Sequence, residues 1–138
     1  MTLVVDSSVA LKWVLEEEAT EQALRLLTRT LVAPDLCQAE VGNALTKRVR
    51  RRELVPDQAA RAFDTVMALL RLVPGRTFGH TALELSLALH HSVYDCYFLA
   101  AAETYGPLVT ADAVFAAKVR ATRYRGLIYL LGEDIPDA

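Results

Sequence analysis

Two acids in this chain stand where a run of branched aliphatics gives way to a helical pattern. Leu3-Val4-Val5 ends at Asp6, and Leu108-Val109-Thr110 runs through Ala111 into Asp112. The carboxyl end of a buried strand is where open α/β sheets bind their ligands. One such junction is explained by a helix cap; two, both acidic, suggest a shared acidic pocket. Carboxylates are hard oxygen ligands suited to Mg²⁺ or Mn²⁺. Such ions neutralise charge on a phosphodiester and make a water nucleophilic, so this chemistry needs no histidine or cysteine nucleophile. Acids gathered without a cation raise one another's pKa values, and clustering therefore favours a cation site over a purely structural one.

The elements that must position these acids follow from the apolar pattern. Leu3-Val4-Val5 reads as a short strand buried on both faces, as in a parallel sheet. A helical pattern from Val9 to Leu15 fades into Glu16-Glu17-Glu18, and a second starts near Thr20. Leu31-Val32-Ala33 is a strand closed by Pro34. Asp35, with Gln38 three residues on, predicts a capped start for a third helix, which ends in Lys47-Arg48-Val49-Arg50-Arg51-Arg52. Pro56 opens a fourth, amphipathic helix. Leu72-Val73 is a strand candidate stopped by Pro74-Gly75. A fifth helix is expected from Thr81 to His90, and Ser92-Val93-Tyr94-Asp95 carries the start signal of a sixth. A short helix then holds Val114, Phe115 and Val119, and Gly126 to Leu131 reads as the last strand. The alternation predicts an α/β fold, one domain over residues 1–138, around a central, mainly parallel sheet.

Composition narrows the classes. With 53% hydrophobic and 23% charged residues the chain of 138 residues supports a packed core and excludes intrinsic disorder. A net charge of -2 excludes a broadly basic nucleic-acid binder, so any polyanion site must be local. Cys37 and Cys96 form no CxxC pair and read as reduced core thiols of a cytoplasmic protein. No uncharged apolar run approaches the ~18 residues of a membrane span. Asp6, inside the N-terminal apolar stretch, argues against a secretory signal.

Four segments in order, V-V-D-S-S-V-A-L-K-W, A-P-D-L-C-Q-A-E-V-G-N-A-L, S-V-Y-D-C-Y-F-L-A-A-A-E and L-V-T-A-D-A-V-F, resemble the signature blocks of the PIN domain. More narrowly they are similar to the small bacterial and archaeal toxins of VapC type. The resemblance implies a three-layer α/β/α fold, Mg²⁺- or Mn²⁺-dependent endoribonuclease activity on RNA, a cognate antitoxin partner and a homodimer. It assigns the acidic, metal-binding site to Asp6, Glu40, Asp95 and Asp112, with Ser8 and Thr110 as polar neighbours. Each acid also has a plain explanation. Asp6 and Asp112 fit N-caps, Asp95 fits the capping-box partner of Ser92, and Glu40 fits a solvated helix face. Asp35 competes with Glu40, whose E-V-G-N-A-L context favours it.

Cations offer two paths for RNA. Lys47, Arg48, Arg50, Arg51 and Arg52 either grip phosphates or complement a helix C-terminus. Lys118, Arg120, Arg123 and Arg125 follow Asp112 and are expected nearer the acids, which favours this stretch, with Lys118, Arg123 and Arg125, for RNA contact. His80, His90 and His91 lack ligand partners at usable spacing. Trp13, Tyr94 and Tyr97 fit base stacking less well than core packing. The apolar stripes of the third and fourth helices permit an association surface. Two other readings stay open: a PIN nuclease of RNA processing or DNA repair, and a non-catalytic PIN fold that binds RNA or protein. A phosphotransferase of haloacid-dehalogenase type wants a second aspartate where this chain has Ser8.

Overall fold

Five strands make one sheet in the computed structural model, which describes residues 1–137. They are β1 (Thr2–Val5), β2 (Thr30–Pro34), β3 (Arg71–Val73), β4 (Leu108–Thr110) and β5 (Ile128–Leu130). Their order is β3-β2-β1-β4-β5, and every pairing is parallel. The helices are α1 (Ser7–Leu11), α2 (Thr20–Arg25), α3 (Leu36–Arg50), α4 (Pro56–Leu69), α5 (Gly79–Leu89), α6 (Val93–Tyr105) and α7 (Ala113–Arg120). Parallel strands need crossovers, and right-handed ones put α1 to α4 on one face and α5 to α7 on the other. The result is the expected three-layer α/β/α architecture. The chain leaves β1 towards β2 but leaves β4 towards β5. The order therefore reverses between β1 and β4, and a crevice opens there at the carboxyl edge.

The apolar run of β1 explains its central place. Leu3, Val4 and Val5 are fully buried, as a strand covered on both faces and both edges requires. Helix α6 packs over β1 and β2 and against α5, with Cys96, Phe98, Leu99 and the small Ala100, Ala101 and Ala102 all buried. Its far end closes on Gly106, whose φ of 141° lies in the region that side chains avoid. A Cβ there would stand 2.1 Å from the carbonyl oxygen of Thr2, so only glycine lets α6 finish against the start of β1. Among the described residues no helix is long and apolar enough to cross a membrane.

Local departures from the sequence pattern have local causes. The first helix stops at Leu11 instead of running to Leu15, because Trp13 and Val14 take three-residue turns. The Trp13 indole donates to the carbonyl of Ala23 at 2.9 Å, so it anchors the chain between α1 and α2. Asp35 does not cap α3; its Oδ1 accepts from the Gly75 backbone N–H at 3.0 Å and ties β2 to the chain after β3. Helix α5 starts at Gly79, two residues early. The last strand is shorter than the apolar run, since Arg123–Leu127 winds into a 3₁₀ turn.

Gly106→Ala should destabilise the protein by about 2–3 kcal/mol in urea unfolding, through both strain and overlap. Gly126→Ala, where no atom lies within 4 Å of the added carbon, should stay within about 0.5 kcal/mol. Equal stabilities for the two variants would contradict the packing described for α6.

Candidate metal centre at the carboxyl edge

Asp6 follows the central strand directly and lies at the mouth of the crevice. Its side chain is nearly sealed, at 8% exposure. One oxygen, Oδ1, accepts from the Ser8 hydroxyl at 2.6 Å and from the Val9 N–H at 3.0 Å, which makes Asp6 the N-cap of α1. The other, Oδ2, accepts from the Thr110 hydroxyl at 2.5 Å, across the β1–β4 pairing. Thr110 is fully buried, and its Oγ1 in turn accepts from the Asp112 N–H at 3.1 Å. A single hydroxyl thus joins the two strand-end acids. Burial pushes the Asp6 carboxyl above its ordinary range, the hydrogen bonds from Ser8, Thr110 and Val9 pull it back, and the Asp95 charge raises it again.

Glu40 sits on the second turn of α3, packed beside α1. Its Oε1 accepts from the Ser7 hydroxyl at 2.7 Å. Ser7 Oγ also lies 3.3 Å from Cys37 Sγ. A hydroxyl has one proton, so with that proton on Glu40 the thiol is left to donate. Burial above all pushes the Cys37 thiol up to about 12, in keeping with a protonated sulfur. Burial likewise raises the Glu40 carboxyl; Ser7 opposes this, while the charges of Asp95 and Asp6 add to it. The carboxylates of Asp6, Glu40 and Asp95 are therefore electrostatic neighbours.

Asp95, in the first turn of α6, pairs through Oδ2 with His91 Nε2 at 2.6 Å. It does not serve Ser92 as a capping-box partner; Ser92 alone caps, accepting from the Tyr94 N–H. Asp112 caps α7, its Oδ1 accepting from the Phe115 N–H at 3.0 Å. Ligand atoms of His91, Asp95 and Asp112 all lie within 4.8 Å of one another. Asp95 is the hub: its charge raises the carboxyls of both Asp6 and Glu40, and its ligand atom lies within 4.8 Å of one from Asp112.

The donor set fits a hard divalent cation. Glu40, Asp95 and Asp112 are each fixed through one oxygen, and among the described residues no protein group donates to Glu40 Oε2, Asp95 Oδ1 or Asp112 Oδ2. None of these oxygens is sealed from solvent. Carboxylate oxygens of this kind, with water and phosphate completing the shell, are what Mg²⁺ and Mn²⁺ take.

The cations divide. Lys118 reaches His91, the partner of Asp95, with Nζ 3.0 Å from the His90 carbonyl oxygen and 3.2 Å from His91 Nδ1. Arg123 and Arg125 do not lie near the acids. They precede β5, whose Ile128 is level with Leu108, so α7 has carried them to the opposite edge of the sheet. Arg123 there donates to the Tyr124 hydroxyl and stacks on that ring. Arg48 is committed to Glu17 and Glu53. Arg50 and Arg51 are exposed near the end of α3, and Arg51 shares a groove of about 340 Å³ with Glu40, Asn43 and Lys47.

The sequence profile of the PIN domain matches residues 3–120. The chain belongs to the PIN-domain family. The matched stretch of this PIN domain holds all four acids and ends before Arg123. It is 33% identical over 124 residues to Ribonuclease VapC3 of Pyrobaculum aerophilum, covering 86% of this chain and 95% of that one. It is 34% identical over 121 residues to Ribonuclease VapC1 of Mycobacterium tuberculosis, covering 83% of this chain and 88% of that one. The crystal structure of PAE2754 from P. aerophilum superposes with a TM-score of 0.69 at 23% identity, over 93% of this chain and 83% of that one, a likeness of fold.

Ser7 escaped the sequence reading, and His91, expected to lack ligand partners, instead lies among the acids Asp95 and Asp112. Ser7 was hidden because adjacent serines gave no hint that each would hold a different acid. His91 pairs with Asp95 four positions on, across the start of α6, a partner that a search for metal-ligand spacing among histidines does not reveal.

The raised carboxyls make stability depend on pH. An acid whose pKa is raised by folding favours the native state while protonated and opposes it once ionised. Without metal, native stability should therefore fall as pH rises from about 4 through the raised range of Asp6 and Glu40. Asp6→Asn should show a shallower fall in chelator-treated denaturation series. A steeper fall in Asp6→Asn than in wild type would contradict the assigned shift.

Proposed function

We propose that this PIN domain is a metal-dependent endoribonuclease, the toxin of a toxin–antitoxin pair, with Mg²⁺ or Mn²⁺ held by Asp6, Glu40, Asp95 and Asp112. One observation carries the reading: three carboxylates, each fixed through one oxygen and open at the other, beside a fourth that is buried. Relatives at 33–34% identity, matched along most of their length, are ribonucleases of VapC type, which supports RNA as the substrate.

A bound divalent ion supplies charge neutralisation at the scissile phosphate and acidifies a water. Asp6 and Asp95 are the principal holders. Ser8 and Thr110 fix Asp6 by giving both its oxygens a donor. Glu40, held at Oε1 by the Ser7 hydroxyl, presents Oε2 to take the proton of the attacking water. Asp112, steadied at the start of α7, orients water through Oδ2.

The groove of α3 supports an RNA path. Lys47 and Arg51 lie on the same helical stripe as Glu40, where cations gain affinity from phosphates by counterion release. A second groove of about 420 Å³ between α3 and α4, lined by Gly42, Leu45, Val49, Ala59 and Phe63, suits an apolar segment of the antitoxin. Exposed Leu83 and Leu87, one turn apart on α5, support the homodimer. The free, buried thiols Cys37 and Cys96 support a cytoplasmic setting.

Asp95→Asn should lower the rate of RNA cleavage in saturating Mn²⁺ by at least about 100-fold, some 2.7 kcal/mol of barrier. Asp64→Asn, on the exposed side of α4, should cleave as wild type does. Near-wild-type cleavage by Asp95→Asn would show that the acids do not carry the reaction.

A further inference from the structure

His91 has a definite job in this arrangement, and its two ring nitrogens reveal it. Nδ1 faces the Lys118 ammonium at 3.2 Å, and an ammonium only donates. Nδ1 must therefore be the accepting nitrogen, and the ring proton sits on Nε2. Nε2 faces Asp95 Oδ2 at 2.6 Å, where a carboxylate only accepts. One tautomer satisfies both contacts, and in it neither nitrogen has a lone pair free for a cation. His91 is a donor here, although its atoms lie within the same 4.8 Å as those of Asp95 and Asp112.

The ring is held at both nitrogens and on one face. Its plane stacks on Phe115, with centroids 4.4 Å apart and 29° between planes. Its backbone N–H donates to the Ser86 carbonyl, and its own carbonyl accepts from the Ser86 hydroxyl. The left-handed turn at His90 (φ 52°) swings it off the end of α5. Phe115 also supplies the N–H that fixes Asp112. Asp112, Phe115 and Lys118 recur every three residues from the N-cap of α7 to its last turn, so one helical face steadies both Asp112 and, through His91, Asp95.

We infer that Lys118 and His91 are positioning residues: Lys118 sets the His91 tautomer, and His91 pins Asp95 Oδ2 so that Oδ1 is presented to the cation. The inference rests on the acid-site reading above and adds two residues to it. A donor that locks a ligating carboxylate improves affinity because the ligand's orientation is fixed before the cation arrives.

Calorimetric titration of Mn²⁺ into the protein tests this without reference to cleavage. His91→Phe keeps the ring on Phe115 but removes the donor, and should weaken Mn²⁺ binding about 10–100-fold. His91→Gln, whose amide nitrogen reaches about as far as Nε2, should recover most of the loss. Lys118→Met keeps His91 in place but frees its tautomer, and should weaken binding even if His91→Phe fails to fold. Wild-type affinity in His91→Phe, or no recovery in His91→Gln, overturns the inference while leaving the acid site standing. A directly bonded imidazole nitrogen in the Mn²⁺ spin-resonance spectrum overturns it in favour of ligation. A wild-type protein that binds no Mn²⁺ overturns the acid-site reading, and this inference with it.

Discussion

Burying the Asp6 carboxylate costs free energy, and the structure at the carboxyl edge is organised to offset that cost. An ionised carboxylate with almost no contact with water survives in a protein only when its oxygens are paired. Asp6 meets this condition through Ser8, Val9 and Thr110. Those partners come from α1 and from the end of β4, so they exist only when β1 and β4 are paired and α1 has formed. The central pairing of the sheet and the first feature of the site are thus one requirement. The Asp95 charge, which raises the same carboxyl, runs against it and leaves the site short of positive charge.

That shortage is the link from fold to function. Four acids are brought to one crevice by β1, α3, α6 and the β4–α7 turn, and among the described residues no lysine or arginine pairs with them directly; Lys118 stands behind His91. The protein hydrogen bonds steady one oxygen of each half-exposed acid and leave the other to solvent. On the proposed reading, a cation and a phosphate complete this site. It also explains why cap and ligand are not competing descriptions. Asp6 and Asp112 are true N-caps, and capping is the means by which their orientation is set before any ligand binds.

Much of this could be read from the sequence, for reasons that differ by residue. Asp6 and Asp112 were legible because a short apolar run ending in an acid is a local pattern, and strand ends are local events. Glu40 and Asp95 were not legible from pattern, since a helix-face acid has no distinctive neighbours; the resemblance to the PIN family supplied them. Asp35 misled because its oxygen found the N–H of Gly75, forty positions away, before the N–H groups of its own helix. Arg123 and Arg125 misled because closeness in sequence to Asp112 ignores the eight-residue α7, which spans roughly 12 Å from one edge of the sheet towards the other. His91 lay in a break between helices, where only the fold could say which way it turned.

On the proposed reading these carboxylates gather one divalent centre with Asp95 as its hub. Anomalous diffraction from crystals soaked in Mn²⁺ measures this directly. The account predicts a manganese peak bonded to Asp95 Oδ1 and to at least one of Asp6, Glu40 and Asp112, with His91 still hydrogen-bonded to Asp95 Oδ2. Crystals that bear no manganese at Asp95, from protein that cleaves RNA only when Mn²⁺ is added, would contradict it.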